Sequence, residues 1–373
     1  MAIYFNIYIY KLFKYNKIIL FILIYFFFKK YIFYNSFNND KISLLNSIRN
    51  VFVNKYLNLK NRPLNNNNDL LLTEKKNIFN LICQEIRKNI TSINKIFYTN
   101  YMKMGNNLVS LNRLIFFCEI IGCKNIILDQ NKFWYIKNKI FLPKYNLTIS
   151  VEQNIYNKSS DFYFDTIVFY YSIFNIKPEI RIHLLRNEII KNLFHIQTSK
   201  NNLYIHLRGG DIFIDKPNRF YAQPPLCFYE AILTQYNFSK IYIISEDKKN
   251  PVFSKLINKY SNIIYTKNSL KLDISFLINA YNIVASVSSF VTTIIQLNYN
   301  VKFIWDYNIY QIQEKILHFH YDLFNYPNNK FVVFRMKPSF NYIKNMVLWK
   351  NNKKQKKLMI KEKCNNYFSI IFR

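Results

Sequence analysis

The chain has 373 residues, half of them hydrophobic and 18% aromatic, so it can bury a sizeable core and is not disordered along its whole length. Its formal net charge of +31 suggests, taken alone, a polyanion partner. The lysines are scattered along the sequence, and abundant Lys, Asn, Ile, Tyr and Phe beside only 4 Gly are typical of an A+T-rich coding sequence. We therefore expect no nucleic-acid partner.

Residues 1–34 are predicted to be a cytoplasmic tail followed by a signal anchor. The run Ile18–Phe28 is apolar without interruption and is flanked by Lys17 and Lys29. It is shorter than the roughly 20 residues that span a bilayer, but flanking lysines snorkel and aromatic residues continue beyond it. Small residues do not follow it, so cleavage is not expected. We expect a single-pass secretory-pathway protein, in the Golgi apparatus, with its body in the lumen; a buried helix of a soluble protein is the alternative.

Residues 35–75, rich in Asn, Lys and Leu, are predicted to be a stem or linker. Glycosylation sequons would suit a lumenal glycoprotein, although an Asn-rich chain gains some by chance; they begin at Asn89, Asn146, Asn157 and Asn237. The five cysteines include no C-x-x-C pair, so we expect neither a zinc site nor a redox site. Cys118 and Cys123 lie in an apolar stretch and are predicted to be core residues, and the disulfide pairing stays open.

Residues 76–200 are predicted to form an N-terminal, acceptor-side lobe. Apolar residues recur at helical spacing after residues 104–107, and Gly122 supplies a usual stop signal. The predicted elements are helix 78–93, helix 108–118, strand 125–128, short strands near Phe141 and Thr148, strand 166–171 and a helix near 179–193.

Residues 201–340 are predicted to form a second, α/β lobe. The predicted strands are 203–207, 240–244, 263–265, 283–285 and 301–305, and the predicted helices are 224–235, 252–260, 273–281 and 289–297. Strands and helices that alternate at this pace favour a parallel sheet with helices on both faces. Ligands bind such sheets at the carboxyl ends of the strands.

Residues 341–373 are predicted to be a basic C-terminal tail. The run Lys353–Lys357 is expected to be solvated. Binding to anionic lipid and a nuclear signal are the alternatives.

The strongest motif is the segment HLRGGD, residues 206–211, directly after the predicted strand 203–207. Arg208 offers a planar fork of donors to phosphate oxygens, and Gly209 and Gly210 let the backbone come close to a ligand. Asp211 can orient the arginine or bind sugar hydroxyls. A strand that ends in a turn with an Arg–Asp surface pair is the alternative.

Polar side chains also follow two further predicted strands. Ser245 and Glu246 come after strand 240–244, where such groups hold ribose or base. Ser286, Ser288 and Ser289 stand between a strand and the next helix, where hydroxyls and free N–H groups suit phosphate. An ordinary polar strand end, and simple capping of the helix by Ser288, are the alternatives.

Together these segments resemble the α-1,2-fucosyltransferase family, glycosyltransferase family 11, and more broadly the GDP-fucose enzymes that share an H-x-R-x-x-D element. HLRGGD matches the family's H-x-R-R-G-D except at Gly209, and IISED (243–247) matches a strand that ends in Ser and acidic residues. The segment from Asp273 to Phe290 matches an Asp-led helix followed by an S-x-S-x-F-like turn. Gly105 and Asn106 resemble the Gly-Asn loop that opens the family's first helix.

The resemblance implies a GT-B architecture, in which two Rossmann-like lobes with parallel sheets enclose a cleft. It implies transfer of fucose from GDP-fucose to a hydroxyl of a glycan acceptor, with inversion and without a metal cofactor. Arg208, His206 and Asp211 would form the catalytic group, with Arg208 stabilising the charge on the leaving phosphate. Substrate contacts are implied for Gly105, Asn106, Gly209, Gly210, Ser245, Glu246, Asp273, Ser286, Ser288, Ser289 and Phe290.

The sequence departs from the family pattern in two places. Gly209 stands where the family has a second arginine, and residues 291–293 stand where it has a tryptophan-containing stretch. Three other interpretations stay open: another GDP-sugar or protein O-fucosyltransferase, an inactive lectin-like relative, and a polyanion-binding protein.

Overall fold

A computed structural model describes Asn77, Leu81, Gln84 and residues 95–98, 104–153, 182–219, 221–307, 331–346, 348–365 and 367–372. The chain divides into two compact units, 1–93 and 94–373, and the fold described below belongs to the second. The predicted anchor, stem and strand 166–171 lie outside the described residues. So does the predicted helix 78–93, apart from Leu81 and Gln84, which are helical. No helix within the described part is long and apolar enough to cross a membrane.

The first sheet comes from residues 95–152 and has the strand order β1-β2-β4-β3. Its strands are β1 (Lys95–Tyr98), β2 (Asn125–Asp129), β3 (Ile140–Leu142) and β4 (Leu147–Glu152), and only β3 runs antiparallel to its neighbour. Helix α1 (Met104–Ile121) links β1 to β2. It ends at Gly122, whose left-handed φ of 76° lets its N–H donate to the Cys118 carbonyl at 2.9 Å. The predicted helix 108–118, strand 125–128 and short strands near Phe141 and Thr148 are confirmed, whereas β1 was not predicted.

The second sheet has seven strands in the order β11-β10-β9-β8-β5-β6-β7, all parallel except β11. They are β5 (Asn202–His206), β6 (Lys240–Ile244), β7 (Ile263–Tyr265), β8 (Asn282–Ala285), β9 (Phe303–Tyr307), β10 (Val332–Met336) and β11 (Ser369–Phe372). The predicted parallel sheet is confirmed, and its five predicted strands lie within two residues of the observed ones.

Helix α2 (Arg186–Lys191) precedes β5, and further helices connect β5 to β9 in chain order. They are α3 (Leu226–Gln235), α4 (Pro251–Lys259), α5 (Leu270–Asn279) and α6 (Ser289–Leu297). Residues that favour helix N-termini set where these helices start. In α4, Pro251 occupies the first turn, and the Asn250 side chain accepts from the Val252 N–H at 3.0 Å. The helix predicted near 179–193 is instead a 3₁₀ turn (Ile182–Leu185) followed by the short α2.

The predicted basic tail is wrong as a description of residues 341–373, because they belong to the second sheet and its helices. Helices α7 (Phe340–Met346) and α8 (Lys353–Lys361) follow β10, and β11 pairs with it. Trp349 is fully buried and donates its indole N–H to the Ile212 carbonyl at 2.6 Å. A disulfide between Cys227 on α3 and Cys364 fixes the pairing that the sequence left open. Cys118 and Cys123 are buried, as predicted, and take no part in a disulfide.

Candidate functional site

The site lies where the direction of strand addition reverses. From β5 the chain adds β6 and β7 on one side, then returns to place β8 and β9 on the other side of β5. In open parallel sheets the crevice beside such a reversal, at the carboxyl ends of the strands, is where ligands bind. The two loops that border it begin at Leu207 after β5 and at Ser286 after β8.

Arg208 bridges these two loops. Its Nη1 donates to the Ser288 hydroxyl at 3.0 Å, and its Nη2 lies 3.3 Å from Oδ1 of Asp211. The guanidinium carbon stands 4.2 Å from the centroid of the Tyr221 ring, within the range of a cation–π contact. The Arg208 side chain keeps 14% of its surface exposed. Because a guanidinium carries five N–H donors, a fixed and still accessible cation is available here for an anion.

The serine turn that receives Arg208 also begins a helix. The Ser288 hydroxyl accepts from the Phe290 N–H at 3.2 Å and so caps α6. Capping, which the sequence left as the alternative to phosphate binding, is therefore present, and the same side chain contacts Arg208. A hydroxyl accepts two hydrogen bonds and donates one, so its O–H is directed away from both of these partners.

Gly105 allows helix α1, which follows the first strand of the first sheet, to contact the start of α6. A Cβ built on Gly105 would lie 2.5 Å from the backbone nitrogen of Phe290 and 2.6 Å from its Cα. Only glycine fits this contact, and it lets the first turn of α1 meet the first turn of α6. Helix N-termini carry partial positive charge, so their meeting beside Arg208 adds to its attraction for anions. Asn106 follows in the same turn, and its side chain lies outside what the structure describes.

His206 is a neutral, buried group. Its side chain is 7% exposed, its Nδ1 lies 2.5 Å from the Ser286 hydroxyl, and its ring centroid is 5.4 Å from that of Phe290. Burial, with a smaller contribution from the charge of Arg208, lowers the pKa of His206 to about 3. The ring is therefore neutral near pH 7 and joins the two loops. Its predicted place in the catalytic group stays a prediction. Ser286, 2% exposed, is committed to the same bond.

The diglycine faces the acidic end of β6. A Cβ on Gly209 would overlap the Asp247 carboxylate, and one on Gly210 would overlap the Glu246 carboxylate. Gly210 also has a left-handed φ of 65°. The Asp247 carboxylate therefore occupies the space into which a larger residue at 209 would extend.

Ser245 and Asn250 organise the loop that carries these carboxylates. The Ser245 hydroxyl donates to the Asp247 carbonyl at 2.7 Å, so it shapes the turn and is 6% exposed. Asn250, which the sequence analysis missed, donates to the Arg208 carbonyl at 3.0 Å while it caps α4. The Asn-Pro pair before an apolar helix was the available signal.

Asp273 lies in the first turn of α5 and accepts from the Asn268 amide at 3.1 Å. Burial raises its pKa to about 6, and the bond from Asn268 opposes part of that rise. The pKa of Tyr265, at the end of β7, is raised by burial and then by the charges of Asp247 and Asp273. Asp247 and Asp273 therefore both lie near Tyr265, and these three side chains are called the polar row.

Neither family models, nor curated proteins, nor solved structures give a match to this chain. The site is therefore interpreted from its own geometry. It joins the predicted residues of the three strand-end motifs and Gly105 around one crevice. Within the described residues, no three His, Cys, Asp or Glu side chains are grouped to hold a metal ion. The sequence analysis missed Tyr221 and Gln223, because both residues lie in a loop that carries no recognisable motif.

Proposed function

We propose that the chain is a glycosyltransferase that transfers fucose from GDP-fucose to a hydroxyl of a glycan, with inversion at the anomeric carbon. One observation carries the proposal: Arg208, at the reversal point of the sheet, is held by Ser288 at the start of α6. A fixed guanidinium beside a helix N-terminus complements the pyrophosphate of a nucleotide sugar.

The same arrangement suits the chemistry of transfer. As the bond from fucose to GDP breaks, negative charge develops on the β-phosphate. A preorganised cation that strengthens its interaction with this charge stabilises the transition state more than the ground state. In this proposal Arg208 performs that role, and Asp211 and Tyr221 keep its guanidinium in place.

The nucleoside would lie along the polar row. Carboxylate oxygens at strand ends accept hydrogen bonds from ribose hydroxyls and from base N–H groups. Asp247 and Asp273 offer such oxygens at the ends of neighbouring elements.

We further propose that the two sheets correspond to the two lobes of a GT-B enzyme. The contact between Gly105 and Phe290 supports this assignment, since it brings α1 of the first sheet to the phosphate end of the second. The acceptor would approach from the side of the first sheet, near Asn106.

The test is GDP binding to the full chain by isothermal titration calorimetry. We expect Arg208→Ala to weaken binding by about 1.5–3 kcal/mol, the usual contribution of hydrogen bonds to a charged group. Lys240→Ala is the matched control, because Lys240 is exposed at the opposite, amino end of β6. Transfer is then measured with labelled GDP-fucose, other GDP-sugars and a panel of acceptors.

Each result separates the open interpretations. A folded chain without affinity for GDP would remove every GDP-sugar activity. Binding of GDP with transfer from a different GDP-sugar, or to a protein hydroxyl, would select another transferase. Binding without turnover of any donor would indicate an inactive, lectin-like relative.

A further inference from the structure

Helix α8 presents one face to the protein and a row of lysines to solvent. Gln355 and Met359, four residues apart, are buried against the body of the second sheet. Lys353, Lys357 and Lys361 recur at the same interval and are exposed, as is Lys354. At 3.6 residues per turn these four lysines fall within about one third of the helix circumference, opposite the buried residues. We call these four side chains the lysine face.

The surroundings of the lysine face are strongly basic. Residues 331–373 contain eleven Lys or Arg and a single acidic residue, Glu362. The Glu362 carboxylate accepts from the Ser339 hydroxyl at 2.5 Å, and Arg335 is paired with the buried Asp306. None of the carboxylates that the structure describes forms an ion pair with the lysine face. The helix thus presents on one face a part of the basic charge that the sequence concentrates in residues 331–373.

An exposed aromatic ring lies at one end of this face. Phe340, the first residue of α7, is 79% exposed. The bond between Ser339 and Glu362 places the start of α7 beside the end of α8, next to Lys361. An exposed phenyl ring costs free energy in water, whereas aromatic rings are favoured at the headgroup level of a bilayer.

We propose that the lysine face and Phe340 form a docking surface for an anionic lipid bilayer. Lysine acts as a point charge that suits a diffuse negative surface, and each lysine close to such a surface raises the docking equilibrium constant about fivefold. Single-stranded nucleic acid binds instead in grooves, and base recognition relies chiefly on arginine. The lysine face contains no arginine and is the outer side of one helix. This proposal stands apart from the proposed transferase activity.

The test uses a tryptophan at position 340 as a fluorescent reporter within the proposed docking surface. Full-length chain carrying F340W is mixed with brominated phosphatidylcholine vesicles, with and without phosphatidylserine, and the fluorescence of the parent chain is subtracted. We expect bromine to quench the reporter only when phosphatidylserine is present, and raised salt to remove the quenching. Because quenching reads contact at position 340, vesicle binding by the apolar run Ile18–Phe28 does not imitate it.

Matched lysine variants decide the outcome. K353Q/K357Q/K361Q should lower the docking equilibrium constant about a hundredfold, that is, about fivefold for each lysine. K124Q/K240Q/K302Q removes the same charge from exposed lysines elsewhere and should leave quenching unchanged. Equal quenching in both triple variants, or none on anionic vesicles, overturns the proposal. A reporter that responds to heparin or RNA but not to vesicles assigns the face to a soluble polyanion instead.

Discussion

The phenol of Tyr342 donates a buried hydrogen bond of 2.6 Å to the carbonyl oxygen of Gln223. The side-chain amide of Gln223 in turn donates to the backbone carbonyl of Tyr221 at 3.0 Å and to the backbone carbonyl of Val287 at 3.2 Å. Tyr221 stacks on Arg208, and Val287 precedes Ser288. Helix α7 is therefore connected, through Gln223, to two of the three groups that position Arg208, namely Tyr221 and the turn that carries Ser288.

We predict that Tyr342→Phe destabilises the fold and weakens GDP binding together. Removal of the hydroxyl leaves the Gln223 carbonyl buried without this donor, which costs about 1–3 kcal/mol. Urea unfolding measures the first effect, and calorimetric titration of GDP measures the second. Tyr367→Phe is the matched control, because that hydroxyl is on a ring 87% exposed to solvent. If GDP affinity is unchanged while stability falls, the connection through Gln223 is structural only.

Gly105 supplies a second prediction, about the contact between the two sheets. Gly105→Ala would press a methyl group against the backbone of Phe290, which cannot rotate away as a side chain can. We expect a loss of about 1–3 kcal/mol in the free energy of unfolding, the usual cost of overpacking. GDP binding should weaken as well, since the displaced backbone belongs to the serine turn.

Gly122→Ala is the control for this substitution. A Cβ at position 122 would meet nothing within 4 Å, but the residue has a left-handed φ of 76°. Its replacement should cost about 1–2 kcal/mol through the backbone alone and leave GDP affinity unaltered. Equal effects of both variants on GDP binding would show that Gly105 acts through general stability.

Much of the second sheet could be predicted from the sequence because its signals are local. A few neighbouring residues are enough to identify a short apolar strand, a polar strand end, or a helix opened by Pro251 or Ser288. Helix α8 has such a start signal in Asn352, whose side chain accepts from the Gln355 N–H at 2.9 Å, but the lysine run that follows it led to the prediction of a solvated tail. Lysines occupy most of its positions, and its burial depends on Gln355 and Met359.

The sequence predicted which site residues follow the strands of the second sheet, but it did not predict which of them contact each other. That Arg208 and Ser288 should approach each other follows from the order of the strands, which no local pattern reveals. Tyr221 contributes a ring from a loop without regular structure. The burial that lowers the pKa of His206 is likewise a property of the assembled loops.

The disulfide Cys227–Cys364 should stabilise the C-terminal segment against detachment from α3. It joins residues 137 positions apart, and cross-links that close loops of this size contribute about 4–5 kcal/mol by restricting the unfolded chain. We predict that Cys227→Ser/Cys364→Ser lowers the free energy of unfolding by that amount. A reductant should lower the stability of the parent chain equally and have no effect on the variant. A reductant effect that persists in the variant would point to another bond.

The raised pKa of Asp273 predicts how stability depends on pH. Its carboxyl group titrates near 3.8 in the unfolded chain and at about 6 when folded, so between these values only the folded state keeps the proton. Its contribution to stability is therefore full below pH 3.8 and is lost as the pH rises through about 6. Asn at this position cannot ionise, so the stability of Asp273→Asn relative to the parent should increase across this interval in urea unfolding. Asp215→Asn, which removes an exposed charge, is the control, and a difference that stays constant with pH would contradict the prediction.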